Sequence, residues 1–274
     1  MRDISALVSP NPPDCPSVGR QDAFPFRCGK DLACFTSCCR DVSIVLTPYD
    51  VLRMKHALKM DSSEFLERYT IVANARQRQF PLVLIRMDEQ TKACPFVGAE
   101  GCSIYGHRPW ACRMYPLGFA EPQQPMAGSK GFYFVLREEL CQGHKEAAQH
   151  TVEAWLAAQG LDDYEMMEES FAKLHLGSAE AGGEPLDPNL IAMYFIACYD
   201  LDRFRQFVFS TTFLKRFEVE AARVEAIRND DEELLNLAMD WLRFVLLHER
   251  TMKFVQPSSP RPECTARPAG GLSA

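Results

Sequence analysis

Apolar residues recur at helical spacing through the second half of the chain. Asp187-Pro188 and Asp230 provide the acidic caps and the first-turn proline with which helices begin. The apolar pattern over 147–159 is followed by Gly160, a residue that commonly ends a helix. The last helix carries the longest apolar stripe, at Leu234, Leu237, Ala238, Trp241, Leu242, Val245 and Leu246. The pattern therefore predicts a mostly α-helical region over residues 146–255.

The pattern between residues 25 and 145 is more broken, but it contains two helix starts. Thr47 precedes a proline and an acidic residue, which is typical of an N-cap. Asp61 is followed three residues later by a glutamate, as in a capping box. These signals predict helices over about 48–59 and 62–74.

Two short runs in the same region favour strands. Residues 80–87 and 131–137 are rich in aromatic and β-branched side chains, and they could pair as a small antiparallel sheet. The predicted class is α+β, with a loop-rich cysteine region of short strands and helices followed by the helical region. The predicted divisions are a flexible N-terminal arm at 1–24, a metal-binding domain at 25–145, a helical region at 146–255, with a linker at 179–185, and a disordered tail at 256–274.

The composition fits a globular protein without a general affinity for nucleic acid. Of 274 residues, 47% are hydrophobic and 24% are charged, which are ordinary fractions. The formal net charge of −7 disfavours nucleic acids and anionic membranes, because both attract positive charge. The N-terminus has no export signal, and no apolar run approaches the ~18 residues of a membrane span. We therefore expect a cytoplasmic protein with no membrane span, whose thiols stay reduced.

Cysteine is concentrated in the first half of the chain. Eight of the eleven cysteines follow one another between residues 28 and 141: Cys28, Cys34, Cys38, Cys39, Cys94, Cys102, Cys112 and Cys141. Thiolate is a soft ligand that suits zinc or an iron–sulfur cluster, each of which is commonly held by four sulfurs. The run therefore predicts a metal site, with zinc and an iron–sulfur cluster both open. The alternative, a set of buried core thiols, suits Cys198 better than eight clustered cysteines.

The adjacent pair Cys38-Cys39 bears on how the sulfurs divide. In an extended segment, neighbouring side chains point to opposite sides, so the two cannot readily chelate one metal together. One interpretation gives one sulfur to each of two nearby sites. The other lets a single sulfur bind metal while its neighbour packs or stays free.

Several residues beside the cysteines could support such a site. Thiolates carry negative charge, which flanking cations would offset, although each could equally be a solvated surface residue. The candidate supporting residues are Arg40, Tyr105, Arg108, Arg113 and Tyr115, with Arg27 and Lys30 as further flanking cations. Pro109 and Cys112 fit one tight helical turn. His144 lies three residues after Cys141 and could replace a cysteine ligand, or it could be an ordinary surface residue. His107 is the other histidine near the cysteines.

The cysteine run resembles a known family. The pattern C-x5-C-x3-CC, then CPF-x5-CSIYGHRPWACRMYP and finally Cys141, is similar to the YkgJ family of bacterial cysteine-cluster proteins, described as zinc- or iron-chelating. The resemblance covers about residues 26–145, and it implies that the eight cysteines bind the metal. The longer opening spacing, in place of C-x2-C-x2-CC, is similar to the branch that includes flagellin lysine N-methylases. The resemblance therefore names a metal-binding domain and leaves the reaction open.

Three functions remain open from the sequence. The first is a metal-binding protein whose centre serves structure, redox work or metal handling. The second is a cluster-dependent protein-modifying enzyme resembling the methylase branch, although no glycine-rich nucleotide loop lies between a strand and a helix. The third is a non-enzymatic interaction module whose helical C-terminal region contacts a protein partner. Catalytic residues are not identified by any motif.

Overall fold

The computed structural model describes residues 16–73, 80–120, 131–180 and 187–255, and its elements confirm the predicted α+β class. The strands within these residues are β1 (Ser17–Val18), β2 (Ala23–Pro25), β3 (Val45–Leu46), β4 (Thr70–Ala73), β5 (Leu82–Ile85), β6 (Val97–Gly98), β7 (Gly101–Cys102), β8 (Leu117–Ala120), β9 (Phe132–Val135) and β10 (Gln149–Thr151). The helices are α1 (Pro48–Leu58), α2 (Ser62–Tyr69), α3 (Trp110–Met114), α4 (Val152–Ala158), α5 (Asp162–Glu180), α6 (Pro188–Tyr199), α7 (Leu201–Ser210), α8 (Phe213–Arg216), α9 (Ala221–Ala226) and α10 (Asp231–Leu246). The predicted tail at 256–274, most of the predicted arm, most of the predicted linker, Cys15 and Cys264 lie outside the described residues.

The four helix starts predicted from capping residues are confirmed, because each depends on local hydrogen bonds. The Thr47 hydroxyl accepts a hydrogen bond from the Asp50 backbone N–H at 3.1 Å, and the Asp50 carboxylate accepts one from the Thr47 N–H at 2.9 Å. The carboxylates of Asp61, Asp187 and Asp230 accept backbone N–H groups in the first turns of α2, α6 and α10. Each cap satisfies donors that the helix itself leaves unpaired.

The predicted helix over 62–74 is too long. Helix α2 ends at Tyr69, and the chain continues directly as β4, which pairs antiparallel with β5 from Thr70↔Ile85 to Ala73↔Leu82. The β-branched residues at the start of β4 fit a strand better than a helix once a partner strand is available. Capping signals located the beginning of this helix, whereas its end was set by pairing with a distant segment.

The two predicted strands form, but they do not pair with each other. Strand β5 lies between β3 and β4, whereas β9 lies between β1 and β8, and both sheets are antiparallel. The partner strands β1 and β3 have two residues each, which is too short for a hydrophobic pattern to reveal.

A two-stranded ribbon ties the beginning of the cysteine region to its end. Strand β2 pairs antiparallel with β10, with Ala23 opposite Thr151 and Pro25 opposite Gln149. The helix predicted over 147–159 therefore begins later, at Val152, where the Thr151 hydroxyl accepts the Ala154 N–H. The chain enters and leaves the cysteine region at neighbouring positions.

One hydrophobic core extends through both regions predicted from the sequence. Helix α1, from the cysteine region, contacts α5, α6 and α10 of the helical region. Leu52 and Met54 of α1 belong to the same buried cluster as Leu234 and Leu242 of α10. Residue 145 therefore marks a change in composition, and its role as a boundary between separately folding units stays a prediction.

A buried ion-pair network joins α1 to α7 and α10. The Lys55 ammonium, on a side chain only 5% exposed, lies 2.8 Å from the Asp202 carboxylate and 2.7 Å from the Asp231 carboxylate. Arg205 also pairs with both carboxylates, and the Ser62 backbone N–H donates to Asp202 at 2.8 Å. The network lets three helices share charges that would be costly to bury without partners.

Aromatic residues of the helical region contribute to the core. Trp241 is 7% exposed and packs against Phe204, Phe207 and Phe213. Phe254 is 54% exposed and stacks on Phe217 with 5.2 Å between ring centroids. A protein partner for the helical region stays a prediction. Within the described ranges, none of the helices has both the length and the apolar character needed to cross a membrane.

Candidate metal centre

The Cys38-Cys39 pair lies on a single 3₁₀ turn, Ser37–Cys39, rather than in an extended segment as the sequence argument assumed. Thr36, at φ 66°, reverses the chain before this turn, and its carbonyl accepts the Cys39 N–H at 3.0 Å. Successive side chains of a 3₁₀ helix diverge by about 120° around its axis. The Cys38 side chain is exposed, whereas Cys39 is partly buried. The two neighbours therefore face different surroundings, although their thiols still interact.

The thiols of Cys34, Cys38 and Cys141 act electrostatically on Cys28. We call Cys28, Cys34, Cys38 and Cys141 the outer thiol group. Burial raises the pKa of Cys28, and repulsion from the other three thiols of this group raises it further. The Gln142 backbone N–H donates to the Cys34 sulfur at 3.3 Å, and the Arg27 N–H donates to the Gly143 carbonyl at 3.1 Å. These bonds hold the segment around Cys141 against the segment that carries Cys28 and Cys34.

The other four thiols surround Cys39. We call Cys39, Cys94, Cys102 and Cys112 the inner thiol group. Interaction with the Cys38 thiol lowers the pKa of Cys39, while burial and repulsion from the three other inner thiols oppose that shift. The Cys94 backbone N–H donates to the Cys39 carbonyl at 2.9 Å, and Cys102 is opposite Val97 in the β6–β7 hairpin. Backbone pairing thus brings three of these cysteines together from separate segments.

Cys112 reaches the inner group from helix α3, whose position depends on a buried carboxylate. Asp50 is fully buried and accepts the Trp110 backbone N–H at 2.7 Å, in addition to its capping bond with Thr47. Burial raises the pKa of Asp50 to about 6, and the bonds from Thr47 and Trp110 limit that rise. Burial, followed by repulsion from Asp50 and the neighbouring thiols, raises the pKa of Cys112 to about 12.

Asp50 is a candidate site residue that the sequence did not reveal in this role. Its position in the Thr47 capping box was visible in the sequence, and that local role explains its presence in the first turn of α1. Its second role, at the start of α3, depends on an approach of segments sixty positions apart. No periodic or motif signal in the sequence indicates such a contact.

The two arginines of the CSIYGHRPWACRMYP segment, Arg108 and Arg113, have different surroundings. Arg113 donates to the carbonyl of Arg108 at 3.1 Å, to the carbonyl of Gln159 at 2.5 Å and to the Tyr164 hydroxyl at 3.2 Å. Its guanidinium therefore braces the backbone around α3. The Arg108 Cζ atom lies 3.8 Å from the centroid of the Tyr105 ring, and its guanidinium donates to the Gln159 side chain. Burial raises the pKa of Cys28 and of Cys112, and the positive charge of Arg108 opposes both shifts. Its positive charge therefore acts on both thiol groups.

The remaining flanking cations are directed mainly to carboxylates. Arg27 pairs with Asp31 and Glu146, and Lys30 pairs with Glu100. Arg40 is exposed, and its backbone forms a bridge with Ala93 beside Cys94.

Three aromatic side chains near the thiols have buried polar atoms without a hydrogen-bond partner. They are the Tyr115 hydroxyl, both ring nitrogens of His144, and the His107 Nδ1 atom. Burial raises the pKa of Tyr115, and its neighbour Cys141 adds to that rise. Burial lowers the pKa of His144, whose ring packs 5.2 Å from that of Phe26. A protonated Tyr115 hydroxyl beside Cys141 is suited to donate to a thiolate, because a charged acceptor strengthens the bond.

All nine cysteines in the described part of the chain are free thiols. Across those same residues, no three His, Cys, Asp or Glu side chains converge closely enough to hold one metal ion. The donor chemistry nevertheless fits zinc or an iron–sulfur cluster, since each group contains four sulfurs from different segments. The unpartnered Tyr115 hydroxyl fits the same chemistry, because a bound thiolate at Cys141 would give it an acceptor.

Comparison with protein families finds a similarity over the cysteine region. Residues 27–150 match the CxxCxxCC family model, described as a "putative zinc- or iron-chelating domain". The match supports metal binding in general by this region. The searches of curated proteins and of solved structures gave no match. The family match begins just after β2 and ends within β10, so it spans the cysteine region between the two strands of the ribbon.

A methyl group at Gly143 tests how closely the segments of the outer thiol group pack. An added Cβ would lie 2.7 Å from the Arg27 carbonyl oxygen and 2.8 Å from the Phe26 ring, so the two segments would have to separate. We expect Gly143→Ala to lower the free energy of unfolding by about 1–3 kcal/mol, measured by chemical denaturation.

Gly106→Ala is the matched control, because an added Cβ at Gly106 would meet nothing within 4 Å. We expect it to change the free energy of unfolding by less than about 0.5 kcal/mol. Equal effects of the two substitutions would show that the Gly143 contact is not tight.

Proposed function

We propose that the protein binds two metal centres, each through four thiolates, and that it does so in the cytoplasm, where its thiols stay reduced. The outer centre would be held by Cys28, Cys34, Cys38 and Cys141, and the inner centre by Cys39, Cys94, Cys102 and Cys112. The observation that carries the proposal is the backbone bonding that holds Cys34 against the segment of Cys141 and, separately, Cys94 against Cys39. The electrostatic neighbours of Cys28 and of Cys39 agree with this division. A single four-sulfur site would leave half of these thiols without a role.

The chemistry of such a centre depends on the metal. Zinc would supply folding free energy without redox change, whereas an iron–sulfur cluster would add electron transfer. The chain's own contribution is the same in both cases. Arg108 places positive charge near both groups, Tyr115 places a hydroxyl near Cys141, and Asp50 with Arg113 holds the helix that carries Cys112. A structural, redox or metal-handling role is compatible with this arrangement.

Metal analysis of anaerobically purified protein tests the proposal. We expect two four-thiolate centres per chain, and a visible charge-transfer band if the centres contain iron and sulfur. Cys34→Ser and Cys102→Ser should each reduce the bound metal by about half, because each removes one of four ligands from a different centre. The double variant should bind almost none.

Cys198→Ala is the control for these variants, because Cys198 is a buried thiol on α6 and belongs to neither group. It should retain the full metal content. Protein that contains neither zinc nor iron when purified anaerobically would refute metal binding. Loss of all metal in each single variant would instead indicate one shared centre.

A further inference from the structure

The two thiol groups differ in their exposure to solvent. Cys28 and Cys38 of the outer group are exposed, and Cys34 and Cys141 are partly buried. All four cysteines of the inner group are partly buried, and none is exposed. Leu140, next to Cys141, is 51% exposed, so the surface around the outer group is open on that side as well. An incoming molecule can therefore reach two sulfurs of the outer group directly.

The two groups also differ in how firmly their segments are held. The inner group is supported by the Cys39–Cys94 backbone bond, by the β6–β7 hairpin and by Asp50 at the start of α3. The side chains of Phe96 and Ile104, which flank Cys102 along the chain, are buried in the main core. Displacing one of these sulfurs would require movement of paired backbone or of core side chains.

The outer group has fewer such supports. Cys28 lies in the irregular segment after β2, and Cys34 lies in the turns before Ser37–Cys39. The cations beside it pair with exposed acids: Arg27 with Asp31, and Lys30 with Glu100 on side chains 61% and 88% exposed. These surface pairs add little rigidity, because solvent screens them. Cys141 packs against the main core, whereas Cys28 and Cys38 are not among the residues that do so, and their side chains can therefore move without disturbing it.

We propose that the outer thiol group is an exchangeable metal centre, from which a thiol-bearing acceptor removes the metal through Cys28 and Cys38, while the inner group retains its metal. The acceptor is a small thiol or an exposed cysteine of another protein. This inference rests on the proposed function, since it assumes that both groups bind metal.

The transfer is a ligand exchange without redox change. The incoming thiol loses its proton and forms a metal–sulfur bond as a thiolate. The bond between the metal and the Cys28 sulfur breaks, and the released thiolate takes up a proton. The same exchange at Cys38, and then at Cys34 and Cys141, breaks the remaining metal–sulfur bonds and passes the metal to the acceptor, and the metal keeps its oxidation state throughout.

Release of zinc to a chromogenic chelator, 4-(2-pyridylazo)resorcinol, tests the proposal on the full-length, zinc-loaded protein. We expect two phases of equal amplitude, with the first at least about tenfold faster, because removing the groups that hold metal ligands in place changes affinity by this order. Added glutathione should accelerate the fast phase and leave the slow phase unchanged. Cys28→Ser should abolish the fast phase only, and Cys102→Ser the slow phase only.

Labelling of the wild-type protein makes the result independent of whether the variants fold. With N-ethylmaleimide present during release, mass spectrometry should find Cys28 and Cys38 modified in the fast phase and the inner cysteines modified only in the slow phase. Two bound zinc ions released in a single phase, or inner cysteines labelled first, would overturn the exchange proposal while leaving metal binding intact. Protein that binds no zinc would refute the proposed function itself.

Discussion

Lys55→Met should lower the free energy of unfolding by about 3–5 kcal/mol, the usual cost of removing one partner of a buried ion pair. Lys55 lies within 2.8 Å of the Asp202 and Asp231 carboxylates, and its side chain is almost fully buried. Methionine fills a similar volume, so the loss reports mainly on the missing charge. Chemical denaturation at neutral pH measures the effect.

The effect of Lys55→Met should depend on pH in a defined direction. Burial raises the pKa of Asp231, but hydrogen bonds from Lys55 and Arg205 outweigh burial and lower the pKa to about 2. A carboxyl whose pKa is lower in the folded state stabilises that state at any pH above its pKa in the unfolded chain, ~3.9. This stabilisation is lost as the pH falls through the pKa of the folded state. The difference between Lys55→Met and the native chain should therefore shrink between about pH 4 and pH 2.

Lys215→Met is the control for both measurements, because Lys215 is an exposed residue of α8. We expect it to change the free energy of unfolding by less than about 0.5 kcal/mol at any of these pH values. If Lys55→Met had an effect as small as this control, the network would not contribute to stability.

Asp50→Ala should both destabilise the fold and weaken metal binding at the inner thiol group. The substitution removes the acceptor for two partly buried backbone N–H groups, those of Thr47 and Trp110. The expected cost is about 2–4 kcal/mol in the free energy of unfolding, the sum of a lost helix cap and an unsatisfied buried donor. Since Trp110 begins the helix that carries Cys112, we expect the inner metal affinity to fall by about 10–100-fold.

Thr47→Ala separates the two roles of Asp50. It removes the other half of the same capping box but leaves the bond between Asp50 and the Trp110 N–H in place. It should cost about 1 kcal/mol and leave metal affinity unchanged. Competition with a metal-binding dye measures both variants. If Asp50→Ala bound metal as tightly as Thr47→Ala, Asp50 would serve only as a helix cap.

Features with a local cause could be predicted from the sequence. Thr47, Asp187 and Asp230 cap helices through bonds within a few residues of each side chain, and each predicted start is confirmed. Features that depend on distant segments could not be predicted. The end of α2 at Tyr69 was missed, because the β4–β5 pairing that replaces the predicted last turn joins residues nine to fifteen positions apart.

The candidate site also combines features that could be predicted from the sequence with features that could not. The adjacency of Cys38 and Cys39 allowed either two sites or one site with a spare thiol, and approaches such as that of the Cys94 N–H to the Cys39 carbonyl could not be predicted from it. For Arg113, the sequence showed only that a cation lies next to Cys112. Its bond to the Gln159 carbonyl depends on the position of α4, which no spacing in the cysteine run reports.

The ribbon of β2 and β10 also has a mechanical consequence. Ala23 and Thr151 lie opposite each other at the end of the ribbon, so tension applied through the flanking chain would break the hydrogen-bonded residue pairs of β2 and β10 one after another. Such a geometry resists force poorly. Cys28 and Cys141 lie just inside this ribbon, where the Arg27 N–H meets the Gly143 carbonyl. A metal bound by both cysteines would keep the two segments joined and bear the tension after β2 and β10 have separated.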